Sequence, residues 1–212
     1  MQQASDFREE SLTLKSLIAD LDDAAFEKTT QFKSWTINDV FRHLHFWNKA
    51  VMVATEGEEA FATFFEGVGA HMMKGGSLPE YERAYLDGLS GGALREAWAS
   101  LVDETADAYA ALDPSSRVPW AGPSMSARSA ISARQMETWA HGQEVFDVLG
   151  ADREEHDRIR NIVVLGINTF GWTFKVRGET PPEPMPFVSL VSPSGEVWTY
   201  GESQQSNFIQ GD

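Results

Sequence analysis

Glu137 and His141 stand four residues apart in Arg134-Gln-Met-Glu137-Thr-Trp-Ala-His141-Gly-Gln-Glu144, inside an uninterrupted run from about Ala127 to Leu149. If that run is helical, the two side chains lie one turn apart on one face, where a carboxylate and an imidazole can grip a common cation. A third ligand must come from elsewhere. The best candidate is His43, in Trp35-Thr-Ile-Asn-Asp39-Val-Phe-Arg-His43-Leu, which also reads as a helix. Two neutral imidazoles and a carboxylate are the donor set of open catalytic sites for zinc, and for non-haem iron or nickel-like ions, with room left for water and substrate. Each piece has a plainer reading. A lone histidine on an apolar helix face is more often a buried one satisfied by a hydrogen bond, and Glu137 can pair with His141 or Arg134 as an ordinary helix neighbour. The three donors together weigh more than any pair.

The elements that must position these residues are mostly helices. Phe7, Leu12, Leu14, Leu17, Ile18 and Leu21 recur at three- and four-residue spacings and predict an amphipathic helix over about 5–21. Thr36 followed by Asp39 has the form of a capping box, opening a second helix that runs to about Thr55. On its wheel His43 shares a face with Val40, Trp47 and Ala50, while His45 points nearly the opposite way and reads as a surface or second-contact residue. From Glu56 to Gly76 the glycines predict a short helix and a glycine-rich loop, with His71 exposed. A third long helix spans about 90–112 and ends before Pro114. A proline- and glycine-rich connector carrying Trp120 follows, and Trp120 either plugs the end of the bundle or walls a pocket. The fourth long helix, from about Ser126, is closed by Gly150 as its cap, with Ala130, Ala133 and Val148 on the side of Glu137 and His141. A fifth spans about 152–175. After Thr180-Pro-Pro-Glu-Pro-Met-Pro186, strand, turn and strand follow over 187–200. The expected division is a helical metal-binding bundle over 1–178 and a partial, β-containing lobe over 179–212.

Composition narrows the function. With 212 residues, 42% of them hydrophobic, the chain can bury a core without staples. It has no cysteine, which excludes disulfides, thiolate zinc sites and a cysteine nucleophile. A formal charge of -15 repels phosphate backbones and anionic membranes, so nucleic acid is not an expected partner. No apolar run reaches the length of a membrane span, and the polar start does not read as a signal peptide, so the expected location is the cytoplasm.

The two histidine-bearing stretches, together with Val188-Ser-Leu-Val-Ser-Pro-Ser-Gly-Glu-Val-Trp198, resemble the mycothiol-dependent maleylpyruvate isomerase family of the DinB/YfiT-like superfamily. The resemblance covers nearly the whole chain, although the residues after the hairpin fall short of the family's usual C-terminal lobe. It implies a mainly α fold, a four-helix up-down-down-up bundle with a small C-terminal α/β lobe, holding a divalent metal, usually zinc, on His43, Glu137 and His141. It also implies a low-molecular-weight thiol as cosubstrate, a small-molecule electrophile as substrate and a homodimer. Such a site could isomerise the substrate or transfer the thiol to it. The same ligands also suit a hydrolase, and the same fold suits a metal-binding or stress-response module without turnover. Arg134 and Arg128 are cations able to grip a substrate carboxylate in bidentate fashion, and Trp47 and Trp120 are the aromatics expected near the substrate or behind the ligands.

Overall fold

Capping fixes the start of the helix that carries His43. The Thr36 hydroxyl accepts from the Asp39 amide, and Asp39 accepts from the Thr36 amide in return, which begins α2 (Ile37–Ala54). The Ser126 hydroxyl accepts from the Ser129 amide to begin α6 (Ala127–Leu149), and Gly150 ends that helix in the left-handed conformation at φ 66°. With α1 (Gln2–Leu17) and α5 (Gly91–Ala111) these make a four-helix bundle. α1 and α2 occupy opposite corners, each flanked by α5 and α6. This computed structural model describes all 212 residues.

Burial holds the bundle together. Phe7 and Leu14 of α1, Val40, Phe41 and Leu44 of α2, Leu94, Trp98 and Tyr109 of α5, and Ile131 and Val145 of α6 are all sealed from solvent. Each large side chain so buried contributes about 1.5–3 kcal/mol, so packing outweighs the modest intrinsic helix preference of the Ser, Thr and Gly residues in α6. Gly142 lies at the meeting of α1 and α6, where an added Cβ would make ordinary contact with the Leu14 methyl groups at 3.6 Å.

The stretch after α2 differs from the reading of a short helix and loop. It is a full helix, α3 (Glu58–Met73), that runs through Gly67 and Gly69, and it is followed by α4 (Leu78–Tyr85), which the apolar pattern did not disclose. A Cβ on Gly67 would stand 2.2 Å from the Tyr81 hydroxyl, so this glycine admits α4 rather than breaking α3. His71 is half-buried, not exposed: its ring lies 5.6 Å from that of Tyr81. In the connector, β1 (Arg117–Val118) and β2 (Met125–Ser126) pair antiparallel around Trp120.

The chain divides into two compact units, Met1–Arg153 and Glu154–Asp212. The helix over 160–175 falls in the second of these units. That helix, α7 (Arg160–Lys175), buries no residue fully and clusters with the strands; residues 152–156, expected to be helical, are not. The hairpin is present as β3 (Phe187–Val191) and β4 (Val197–Tyr200), antiparallel with Leu190 opposite Trp198 and Gly195 in the turn at φ 88°. A third strand, β5 (Phe208–Gly211), pairs parallel to β3 and gives the order β4-β3-β5. Within this unit Arg160 lies over the Trp198 ring at 5.5 Å, and Asp157 accepts from the amide and hydroxyl of Ser194. No helix of the protein is long and apolar enough to cross a membrane.

Candidate metal centre

α6 brings Glu137 and His141 to one face, as the four-residue spacing requires, and α2 brings His43 to meet them. One donor atom from each lies within 4.8 Å of the others. Oε2 of Glu137 is 3.2 Å from Nε2 of His43 and 3.3 Å from Nε2 of His141. The imidazole side chains are only 10% and 13% exposed, whereas that of Glu137 is 31% exposed, so the cluster opens to solvent on its carboxylate side. The residues fit a divalent cation by donor chemistry: two ring nitrogens and a carboxylate oxygen converge, and three such acceptors need protons or a cation among them.

The charges of the cluster act on one another. Burial alone would raise the Glu137 carboxyl, but hydrogen bonds to His141 and His43 and the positive charge of Arg134 hold it well below the usual carboxylate range. Burial would lower His43, yet hydrogen bonds and negative charge from Glu137 and Glu82 outweigh it and raise the imidazole above its ordinary value.

A tight loop ahead of α2 walls the cluster. Thr29 bridges Thr36, the Thr30 amide donates to the Trp35 carbonyl at 2.7 Å, and Lys33 and Ser34 turn the chain at φ 50° and 58°. The Phe32 amide donates to Oε2 of Glu144 at 3.1 Å, which ties this loop to the helix that carries Glu137 and His141. Trp35 stacks on the His141 ring at 5.6 Å and 11°, and Phe32 meets it edge-on at 5.1 Å.

The other residues singled out in the sequence have different fates. Arg134 is 2% exposed and is held inside, its Nε donating to Oδ1 of Asn48 at 3.0 Å and a terminal nitrogen to the Leu44 carbonyl. Burial pulls it down to about 10. Its charge supports Glu137, and its side chain is enclosed within the bundle. Arg128 is exposed in the first turn of α6, nine residues before Glu137, and so about 180° away on the wheel. Trp47 donates from Nε1 to Oε1 of Glu82 at 3.1 Å and stands 6.1 Å from the His43 ring. Trp120 packs on Trp47 and Phe61 and also borders two cavities of about 470 and 550 Å³, so it both plugs and walls. Neither cavity is lined by the three donors. His45 is 4% exposed rather than on the surface, and burial lowers it to about 4.

Two contributors escaped the sequence reading. Glu144 was inside the key stretch without a role, and Glu82, which accepts from Nδ1 of His43 at 2.8 Å, lies on the unforeseen α4. A signal for α4 existed in Ser77-Leu-Pro79-Glu80, a capping box with proline in the first turn.

Residues 7–146 match the mycothiol maleylpyruvate isomerase N-terminal domain. Uncharacterised proteins from two strains of Mycobacterium tuberculosis are each 31% identical to the chain over 207 residues, which is 98% of this chain and 79% of theirs. Two crystal structures of the mycothiol-dependent maleylpyruvate isomerase, one of a histidine-to-alanine mutant, share its fold. Each has a TM-score of 0.60 and 17% identity, covering 99% of this chain and 82% of theirs.

Proposed function

The chain belongs to the mycothiol maleylpyruvate isomerase family through its N-terminal domain, and on that footing we propose that it is a divalent-metal-dependent enzyme acting with a low-molecular-weight thiol on a small electrophile. The observation that carries this reading is the convergence of His43, Glu137 and His141 from two helices. Mycothiol is the thiol assigned, because it is the one named for the family and for the solved relatives. A divalent ion on these ligands, zinc in the first place with iron or nickel as alternatives, would supply a Lewis acid that favours thiolate over thiol.

The remaining chemistry follows from what the chain has and lacks. Without cysteine it offers no thiol of its own, so the nucleophile arrives with the cosubstrate. In an isomerisation, the thiolate forms a bond to one carbon of a conjugated double bond and the π pair moves to the carbonyl oxygen. Rotation about the new single bond and expulsion of the same thiolate restore the double bond in its other geometry, with nothing oxidised or reduced. A transfer stops after addition, when the neighbouring carbon takes up a proton. The protein holds both imidazoles against aromatic walls and leaves the Glu137 side open, which is the face a small substrate would approach.

Metal analysis of untagged protein tests this, together with turnover of maleylpyruvate in the presence and absence of mycothiol. Wild type is expected to carry stoichiometric divalent metal and to turn over only with thiol. His43→Ala and His141→Ala should lose both metal and turnover. Wild-type protein that takes up no metal when supplied with it would refute the metal centre, and thiol-independent turnover would refute the cosubstrate. The homodimer expected for the superfamily is open to measurement by sedimentation of the same preparation.

A further inference from the structure

His43 has a second partner behind the cluster. Its Nδ1 lies 2.8 Å from Oε1 of Glu82 on α4, a carboxylate that is 1% exposed. The same oxygen accepts from Nε1 of Trp47, one turn beyond His43 on α2, while Oε2 has no partner. A carboxylate removed from water in this way costs several kcal/mol unless donors meet its charge. Indole N–H is a donor only, and ionised carboxylate is an acceptor only. Nδ1 of His43 must therefore donate as well, because a bare Nδ1 would set two lone pairs against each other at hydrogen-bond distance. With its proton on Nδ1, and a cation in place of the Nε2 proton that faces Oε2 of Glu137, His43 offers Nε2 to the point it shares with Glu137 and His141.

We infer that Glu82 is a positioning residue of the metal centre: it holds His43 as the Nδ1–H tautomer and aims Nε2 at the point shared with Glu137 and His141. The inference rests on the metal-centre reading above. A carboxylate behind a ligating imidazole fixes the ring and increases its basicity. Trp47 completes the arrangement by donating to the same carboxylate oxygen.

The test is zinc affinity of the full chain, measured by competition with a chromophoric chelator, for wild type and Glu82→Gln. The amide keeps the shape and loses the charge, so affinity is expected to fall roughly 10- to 100-fold. Nitrogen–proton correlation spectra of the histidines supply a reading that a space-filling role would not move. Zinc-loaded wild type should show a slowly exchanging proton on Nδ1 of His43, and the variant should exchange it faster. Equal affinity and an unchanged proton signal would overturn the role of Glu82 while leaving the metal centre intact. Wild type that binds no zinc would instead remove the centre, and the inference with it. Should the variant not fold, spectra of zinc-loaded wild type decide the matter: an Nδ1 proton of His43 that exchanges slowly supports the inference, and one that exchanges as fast as that of a solvent-exposed imidazole overturns it.

Discussion

Arg134 shows how far a single residue's role depends on its surroundings. On the sequence it is a cation one turn from Glu137, available to a substrate. In the fold it is enclosed, with its fork spent on Asn48 and the Leu44 carbonyl. Replacing it with Met keeps much of the volume but leaves those acceptors without a donor, at a cost of about 2 kcal/mol. Urea unfolding should show the midpoint falling by roughly 1 M, and Arg134→Lys should recover only part of the loss, since an ammonium lacks the planar fork. An Arg134→Met protein as stable as wild type would show that the guanidinium is not the support described here. His45, buried although the wheel points it away from His43, teaches a related lesson: a helical wheel gives direction but not what packs there.

At the scale of elements, the start of α2 joins several parts of the first unit. Asp39 closes the capping box with Thr36 and accepts hydrogen bonds from Arg42 and from Arg83 of α4. Burial would raise its carboxyl, but the bonds to Arg83 and Thr36 and the charge of Arg83 lower it below its ordinary 3.8. Because the unfolded chain takes up this proton first as pH falls, the stabilisation is present above about pH 4 and is lost as pH drops through the lower folded value. Asp39→Asn should therefore cost about 3 kcal/mol at neutral pH, and its stability gap from wild type should narrow below about pH 4. Denaturant titrations of both proteins at each pH check this; a gap independent of pH would contradict it. The cap was legible because Thr36 and Asp39 are neighbours in sequence, as were the ends of α6 and the turn at Gly195. The helix over 78–85 was not, because its place is set by Tyr81 meeting Gly67 and Glu82 meeting His43, contacts between distant parts of the chain. The strand over 208–211 was missed for the same reason: its pairing partner is β3, beyond the intervening β4.

For the molecule as a whole, the three donors, Glu82 and the aromatic loop all fall within the unit Met1–Arg153, which has its own core. A fragment of residues 1–155 is expected to fold cooperatively and to keep zinc affinity within about threefold of the full chain, a difference of under 1 kcal/mol. Calorimetry and the same chelator competition read this, and a fragment that folds but binds no zinc would place an essential contribution in the second unit. His43 and Glu137 are 94 residues apart in sequence. In a chain without a single disulfide, an ion seated between them would be a removable crosslink, fastening early and late parts of the polypeptide with a strength set by how much free metal surrounds it. The durability of the folded bundle would then rise and fall with metal supply, as though the protein were laced with a thread that its environment can draw tight or withdraw.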